Sequence, residues 1–264
     1  MHTLDSVMMS LDAFDTVTVT ERDDTNVCVR FTNADIDSVK NTAYKAATAV
    51  AEKVGHGADI VIEKGIPIGA GLGGSSADGA AVLRAYDLFY NLKEHGVSMR
   101  EVALSVGSDV PFMLTGGLAR VRGTGGDMFF IENKLELFGI GLMDEFVSTA
   151  ASYAKFDELY QKGAYSPTDN DKLCELLLSA DNRAVEHFAN ALEAPSAALA
   201  PSIKKNTEKL TECGGVACMT GSGGMTIGWF TDIEAFARAA AVLRAHSGFK
   251  VFAPTKTGIL HEWI

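Results

Sequence analysis

The stretch Lys64-Gly-Ile-Pro-Ile-Gly-Ala-Gly-Leu-Gly-Gly-Ser-Ser-Ala-Asp78 decides the fold, because it sets a cluster of glycines and two serines between a predicted strand and a strong predicted helix. Residues 58–63 form a short apolar run with polar residues at alternate positions, which is typical of a strand. Residues 76–90 carry apolar side chains at near-helical spacing, with Ser75 or Ser76 available as the N-cap. Glycine amides can approach a ligand closely, and a helix N-terminus attracts anions. The stretch therefore predicts a loop that binds phosphate.

The glycine stretch also fits the dinucleotide fingerprint Gly69-x-Gly71-x-x-Gly74, with Glu94 at the offset expected for an acid that binds ribose. That motif needs its acid to follow a second parallel strand. Glu94 instead lies in a polar turn, and Ser98 after it opens a capping box and another helix. The context therefore argues against a dinucleotide site.

The spacing from Gly69 to Gly74 also matches a Walker A loop, but Ser75 stands where that motif requires lysine. The remaining alternative is a tight glycine turn that packs a helix onto a sheet. Several glycines and two serines directly before a helix favour phosphate binding over a plain turn.

Residues 67–78 resemble the signature loop of the GHMP small-molecule kinases, the family of the galactose, homoserine, mevalonate and phosphomevalonate kinases. Val106-Gly-Ser-Asp-Val-Pro-Phe112 is similar to the Gly-Ala-Asp-Val-Pro-Phe segment of the 4-diphosphocytidyl-2-C-methyl-D-erythritol kinases. Met219-Thr-Gly-Ser-Gly-Gly-Met-Thr226 is similar to the third, glycine-rich GHMP motif, and the opening Met1–Leu11 looks like the Tyr-His-x-Leu segment of the erythritol kinases. The four segments follow one another in family order, so the chain resembles that branch.

The predicted fold is α+β, because β-hairpins and helices are mixed rather than arranged as a relay of βαβ units. The resemblance implies a two-domain GHMP kinase fold with the active site in the cleft between the halves. Its N-terminal domain, of the ribosomal protein S5 domain 2-like type, is expected over residues 1–142. A ferredoxin-like α+β domain is expected over residues 143–264.

Alternation and helical periodicity predict the order of elements along the chain. Strands are expected over residues 14–21, 26–31, 58–63, 117–122, 138–143, 216–219, 225–230 and 249–252. Helices are expected over residues 37–54, 76–90, 98–106, most of 149–211, and 233–246.

The reaction that the resemblance implies is transfer of the γ-phosphoryl group of ATP, with Mg²⁺, to a hydroxyl of 4-diphosphocytidyl-2-C-methyl-D-erythritol in the non-mevalonate synthesis of isoprenoid precursors. In such a transfer the protein mainly positions the reactants and stabilises developing charge. Asp109, in a tight turn after a helix, matches the family's catalytic aspartate and is expected to contact the substrate hydroxyl. From the residues alone, an Asx-turn that accepts backbone N–H groups is the commoner role for such an aspartate.

The nucleotide-binding residues that the resemblance implies lie in the glycine stretch, with one more position upstream. They are Asn41, Pro67, Gly69, Gly71, Leu72, Gly73, Gly74, Ser75 and Ser76. On the sequence alone Asn41 is equally a polar residue on a helix face. No metal ligands are predicted.

The substrate-binding residues that the resemblance implies come from three separate segments. They are His2 against the cytosine, Tyr153 and Phe156 as aromatics that could stack on it, and Gly221, Ser222 and Gly223, with Gly224, in a loop over the site. A terminal histidine is ordinarily solvated, and two aromatics at spacing i, i+3 suit the core side of an amphipathic helix at least as well. The glycine loop is equally a hairpin turn.

The start of the chain departs from the family pattern. Family members open with a strand carrying Lys-x-Asn and then Asp-Gly-Tyr-His, whereas here Met1 stands in place of the tyrosine. The lysine of that strand, which the resemblance implies would neutralise charge developing on the transferring phosphoryl group, has no counterpart here. The expected consequence is an impaired kinase, because losing one preorganised group of this kind typically costs around 10²–10³ in rate. A start assigned too far downstream, a truncated gene and a non-catalytic paralogue all explain this departure.

Composition narrows the possible partners and the compartment. The formal net charge of −11 argues against a nucleic-acid or anionic-membrane surface. The sequence has neither an apolar run of the roughly 20 residues that span a bilayer nor a signal peptide, so we expect a cytoplasmic protein, monomeric or homodimeric. The cysteines, Cys28, Cys174, Cys213 and Cys218, are scattered and are expected to be reduced thiols.

Two other functions remain open at this point. One is a different GHMP kinase, of the homoserine or phosphomevalonate type. The other is a catalytically weak module that binds a nucleotide or metabolite. The histidine at position 2 and the segment 4–11 favour the erythritol kinase branch over the first, and the departure at the start of the chain favours the second.

Overall fold

The computed structural model describes residues 3–36, 41–161 and 168–255. Within these ranges the chain divides into two compact units. The first contains residues 3–67 and 73–130, and the second contains residues 68–72 and 131–255. The glycine stretch therefore contributes residues to both units. The domain boundary after residue 142 remains a prediction.

The first unit is built from six strands and four α-helices among the described residues. The strands are β1 (Leu4–Met9), β2 (Thr16–Glu21), β3 (Val27–Phe31), β4 (Ala58–Glu63), β5 (Leu118–Gly123) and β6 (Asp127–Ile131). The helices are α1 (Thr42–Val54), α2 (Gly74–Tyr90), α3 (Met99–Val106) and α4 (Val110–Thr115), with a 3₁₀ turn at Leu92–His95.

The core of the first unit forms where α1 and α2 pack with the sheet β2-β4-β3. The central strand β4 is antiparallel to β2 and parallel to β3, and it buries Ile60 and Ile62 completely. Leu83 and Tyr86 of α2 are buried in the same cluster. Because each large apolar side chain contributes about 1.5–3 kcal/mol when fully buried, this packing anchors the helix that follows the glycine stretch.

The second sheet of this unit has the order β1-β5-β6. All six residues of β1 pair antiparallel with β5, from Leu4 opposite Gly123 to Met9 opposite Leu118. The backbone N–H of Ser10 then donates to the Gly117 carbonyl.

The second unit has one four-stranded antiparallel sheet of order β10-β7-β9-β8. Its strands are β7 (Phe138–Leu142), β8 (Val216–Met219), β9 (Thr226–Phe230) and β10 (Lys250–Phe252). Its helices are α5 (Thr149–Gln161), α6 (Asn170–Leu178), α7 (Glu193–Leu199), α8 (Ser202–Glu212) and α9 (Ile233–Leu243), with a 3₁₀ turn at Asn182–His187. Ile140, Leu142, Leu210 and Phe230 form the centre of its core with α8 and α9.

The α+β character is confirmed, but three elements were not predicted. They are β1, β6 and the short helix α4. In β1 the apolar residues Val7, Met8 and Met9 are consecutive and all half-buried, so the segment lacks the alternation that identifies a strand. The predicted helix from residue 37 begins at Thr42, and residues 37–40 lie outside the described part.

Candidate active site

Helix α2 begins at Gly74, directly within the glycine stretch. Its N-cap is Gly73, in the left-handed conformation with φ +70°, and among the described residues no side chain caps the helix. By contrast, Asn41 caps α1 and Asp232 caps α9. The first turn of α2 carries no acidic residue either. Its N-terminal N–H groups and helix dipole are therefore suited to an anion from outside the helix.

The predicted N-cap role of Ser75 or Ser76 is wrong. Both serines lie inside the first turn of α2, because Gly73 takes the left-handed conformation that ends the loop. The Ser75 hydroxyl instead forms a hydrogen bond of 2.8 Å with the Thr42 hydroxyl at the start of α1. A Cβ at Gly79 would lie 2.8 Å from Thr42 Cγ2, so this glycine lets the two helix starts approach.

Asn41 is the N-cap of α1, directly before Thr42. Its buried side chain accepts a hydrogen bond of 2.7 Å from the Ala43 backbone N–H. The sequence alternative of a polar residue on a helix face is therefore wrong, since Asn41 precedes the first turn. The Thr42–Ser75 bond links this cap to the start of α2.

Residues 68–72 pack against the loop at 220–224, and both segments belong to the second unit. The Gly224 N–H donates to the Gly69 carbonyl at 3.0 Å, and the Thr220 hydroxyl donates to the Ala70 carbonyl at 2.8 Å. A Cβ at Gly71 would lie 2.1 Å from the Thr220 carbonyl oxygen, and one at Gly223 would lie 2.1 Å from Gly71 N. Glycine is needed at these two positions for the backbones of the two loops to pack, whether or not the loops bind a ligand.

The predicted substrate residues of the second unit lie near this loop in different ways. The Ser222 hydroxyl bonds the Thr149 hydroxyl at 2.7 Å, at the start of α5. Tyr153 and Phe156 are half-buried and pack against a cluster that includes the buried Met219. The role of these two aromatics in stacking on a base remains a prediction. His2, which was predicted to contact the cytosine, lies outside the described residues.

Asp109 lies in the turn between α3 and α4, at the N-cap position of α4. In the described part of the chain its carboxylate does not cap that helix, and it accepts a bond of 3.3 Å from the Ser108 hydroxyl. The Asx-turn that the sequence alone favoured for Asp109 is therefore not observed among the described residues, since the carboxylate accepts from a hydroxyl and not from a backbone N–H group. Burial raises the pKa of the Asp109 carboxyl above its ordinary value. A carboxylate of raised pKa in a turn is suited to accepting a proton.

The turn that carries Asp109 is supported by the hairpin between β5 and β6. A Cβ at Gly125 would lie 1.9 Å from the Ser108 carbonyl oxygen, so only glycine lets the hairpin backbone approach this turn. The close approach fixes the peptide directly before Asp109.

The sequence did not predict a buried cluster of three charged side chains beside the start of α2. Lys64 Nζ contacts Asp15 Oδ2 and donates to Asp78 Oδ2 at 2.9 Å, and all three side chains are at most 7% exposed. Asp15 Oδ1 also accepts from the backbone N–H groups of Gly65 and Ile66. Lys64 and Asp78 bracket the glycine stretch in sequence, but nothing in the sequence pointed to Asp15. This group fixes the chain immediately before and after the loop.

Asp78 is the most buried member of this group. Its Oδ1 atom is buried and, among the described residues, has no hydrogen-bond partner. Burial raises the pKa of Asp78 to about 7, against the opposing effect of Lys64. Burial and the neighbouring Asp15 carboxylate thus favour retention of a proton on Asp78, because the single Lys64 ammonium group faces two carboxylates.

The described residues contain no cluster of three or more His, Cys, Asp or Glu side chains that could hold a metal ion. Magnesium in phosphoryl-transfer sites is usually held by one or two carboxylates together with the substrate phosphates, so it does not require such a cluster. In the same ranges, no helix has the length and apolar character needed to cross a membrane.

Two features of the described residues are parts that a phosphoryl-transfer enzyme uses: the start of α2 at a glycine without a side-chain cap, and the half-buried Asp109 in its fixed turn. Residues 41–117 match the model of the GHMP kinases N terminal domain. The chain is 33% identical over 250 residues, covering 92% of its length and 84% of the relative, to a protein of Desulfitobacterium hafniense named 4-diphosphocytidyl-2-C-methyl-D-erythritol kinase. The chain therefore belongs to the GHMP kinases, which are ATP-dependent kinases of small molecules.

Two solved structures show the same fold. A crystal structure of a 4-(cytidine 5′-diphospho)-2C-methyl-D-erythritol kinase matches with a TM-score of 0.76 and 26% identity, over 96% of this chain and 90% of the other. A homoserine kinase from Cytophaga hutchinsonii matches with a TM-score of 0.72 and 19% identity, over 96% and 89%. The two-domain α+β fold of the GHMP kinases is confirmed, and the fold by itself does not select the substrate.

Proposed function

We propose that this kinase phosphorylates a hydroxyl of 4-diphosphocytidyl-2-C-methyl-D-erythritol, in the synthesis of isoprenoid precursors. The observation that carries the proposal is 33% identity along 92% of the chain to a relative named for that activity. The segment Val106–Phe112, which contains the aspartate turn, supports the same branch. The proposed reaction needs a triphosphate site, a proton acceptor and a site for the cytidyl group.

The triphosphate of ATP would be held by the glycine stretch and the start of α2. The proposed residues are Asn41, Pro67, Gly69, Gly71, Leu72, Gly73, Gly74, Ser75 and Ser76. The absence of a side-chain cap on α2 in the described structure and of any acid in its first turn fits a phosphate at this position. ATP supplies the γ-phosphoryl group, and we propose Mg²⁺ as its counter-ion.

Asp109 is proposed to orient the acceptor hydroxyl and to take its proton. As the hydroxyl oxygen forms its bond to the γ-phosphorus, the bond to the departing ADP oxygen breaks, and the hydroxyl proton passes to the Asp109 carboxylate. Burial raises the pKa of this carboxyl, which makes it a better proton acceptor than an ordinary aspartate.

Recognition of the acceptor is proposed to involve His2 at the cytosine, an aromatic from the pair Tyr153 and Phe156, and the loop residues Gly221, Ser222 and Gly223. Stacking on a base contributes on the order of 1–3 kcal/mol. Because such recognition acts on the base itself, a fragment carrying only cytidine phosphate should bind. We place the reaction in the cytoplasm.

The test is an acceptor panel with the purified chain. ADP release and ³¹P NMR would be followed with the cytidyl-diphosphate erythritol, homoserine and mevalonate phosphate as acceptors, and ligand-observed NMR would score binding of cytidine monophosphate. We expect turnover of the first acceptor only, together with cytidine monophosphate binding. Turnover of homoserine would assign the chain to a different GHMP branch, and ADP binding without turnover of any acceptor would identify a non-catalytic binding protein.

A further inference from the structure

We propose that Asn190 is a positioning residue for the nucleotide: it fixes the loop at 219–224, and that loop in turn fixes the backbone of residues 69–71. The inference rests on the proposed function, because it takes residues 69–71 as part of the triphosphate site. All the groups involved belong to the second unit.

The side-chain amide of Asn190 connects two peptides of the loop. Its Nδ2 donates to the Met219 carbonyl at 2.8 Å and to the Gly221 carbonyl at 2.7 Å. Its Oδ1 accepts from the Leu192 backbone N–H at 2.9 Å. The backbone donor at Leu192 fixes which amide atom is oxygen, so both Nδ2 hydrogens face the loop.

Glu193, at the start of α7, holds the preceding peptide of the same residue, Met219. Its Oε2 accepts from the Met219 backbone N–H at 2.8 Å, and its Oε1 accepts from the Thr207 hydroxyl at 3.4 Å. The N–H and the carbonyl of Met219 are therefore both bound by side chains from the 190–193 segment. The Met219 side chain is 1% exposed, which anchors that end of the loop in the core.

The loop passes this constraint on to the glycine stretch through direct backbone contact. Thr220 donates from its hydroxyl to Ala70, and Gly224 donates from its N–H to Gly69. A Cβ at Gly221 would lie 2.4 Å from the Gly71 carbonyl oxygen, so no space separates the two backbones there. A shift of residues 219–221 must consequently move residues 69–71, whose amides belong to the proposed phosphate site.

The test variant is Asn190→Asp, which keeps the shape and the acceptor for Leu192 but removes both donors to the loop. We expect the Kd for ADP, measured by calorimetry, to rise about tenfold, the order expected when one or two hydrogen bonds that position a loop are lost. The amides of residues 70–72 should also exchange hydrogen faster in the absence of nucleotide. Asn182→Asp is the matched control, because it adds the same charge at an exposed residue of the same unit, and it should leave both quantities unchanged.

A merely structural role would lower the fraction of competent protein, and hence the calorimetric stoichiometry, without changing the Kd of the remainder. Thr220→Val, which keeps the side-chain shape and removes the donor to Ala70, should weaken ADP binding too, and its effect should be less than additive with Asn190→Asp. If Asn190→Asp fails to fold, Asn190→Ala and Thr220→Val provide the same comparison.

The outcomes separate the inference from the proposed function. If the wild-type chain does not bind ADP, the proposed function fails, and the exchange of residues 70–72 still reports whether Asn190 fixes the glycine stretch. If the wild type binds ADP and both Asn190→Asp and Thr220→Val keep its Kd and exchange rates, the inference is overturned and the proposed function stands.

Discussion

Replacing Asp78 by asparagine should change how the stability of the first unit depends on pH. Asp78, Asp15 and Lys64 form a buried group in which one positive charge faces two carboxylates, with side-chain exposures of 0%, 2% and 7%. Burial favours the neutral acid and raises the pKa of Asp78 to about 7 from its ordinary value of 3.8. The asparagine side chain keeps the shape of the protonated carboxyl and does not titrate.

The sign of the effect follows from the direction of the pKa shift. A carboxyl group whose pKa is higher in the folded protein binds more protons in that state, so its contribution to stability is fully present below pH 3.8 and is lost as the pH rises to about 7. At about 1.4 kcal/mol per pKa unit, the complete loss is on the order of 4 kcal/mol. Above that range both states are ionised and the contribution of Asp78 no longer changes.

The assay is urea unfolding of the wild type and Asp78→Asn across this pH range, with native-state hydrogen exchange of the α2 amides to report the first unit separately. The free energy of unfolding of the wild type should fall relative to that of the variant by about 1.4 kcal/mol per pH unit between about pH 5 and 6.5. Asp59→Asn, at a half-exposed carboxylate paired with Arg22, is the control and should not reproduce that slope. Parallel curves for wild type and Asp78→Asn would refute the reasoning.

Two further predictions concern the nucleotide site and the proton acceptor. Gly73→Val should weaken ATP binding at least tenfold by calorimetry, because a left-handed conformation costs an L-residue roughly 1–2 kcal/mol and the helix start must then move. Gly96→Val is a control of equal backbone strain, since Gly96 has φ +66° and no atom of the described residues lies within 4 Å of a Cβ placed there. An equal loss of affinity in Gly96→Val would contradict the assignment. Asp109→Asn should lower kcat by about 10²–10⁴ with little change in the KM for ATP. In the wild type the acid limb of the kcat–pH profile should lie above the pH range of an ordinary aspartate, since burial raises the pKa of Asp109. Asp127→Asn is the matched surface control, and an unchanged kcat in Asp109→Asn would show that Asp109 takes no part in the reaction.

The elements that the sequence predicted well are those in which buried residues recur at the regular spacing of a strand or a helix. Strand β4 alternates, with Ile60 and Ile62 on the buried side, and α2 buries Leu83 and Tyr86 at helical spacing. Strand β1 could not be recognised in this way, because the feature that makes it a strand is its complete pairing with β5, more than a hundred residues away in sequence. Local pattern carries no information about such a partner.

The site was predictable to the extent that its groups are local. The helix start at Gly73 and Gly74 follows from the glycine stretch, although the sequence placed the N-cap two or three residues too late. The partners that fix the surrounding backbone are distant in sequence: Asp15 lies 49 residues from Lys64, and Asn190 lies 29 residues from Met219. Such contacts depend on tertiary packing, which neither periodicity nor motif spacing describes.

The glycine stretch therefore satisfies two separate requirements that a motif match treats as one. Gly69 and Gly71 lie where a Cβ would strike Phe146 or the 220–224 loop, so their substitution would disrupt packing in the second unit whether or not a nucleotide binds. At Gly73 the only atom of the described residues within 4 Å of a Cβ is Met113 Cε, the flexible end of a side chain. The requirement for glycine there comes from φ +70° at the start of α2. A loss of binding after substitution at Gly71 would be ambiguous for this reason. Loss at Gly73, with affinity retained at Gly96, would show that the helix start itself is what receives the phosphate.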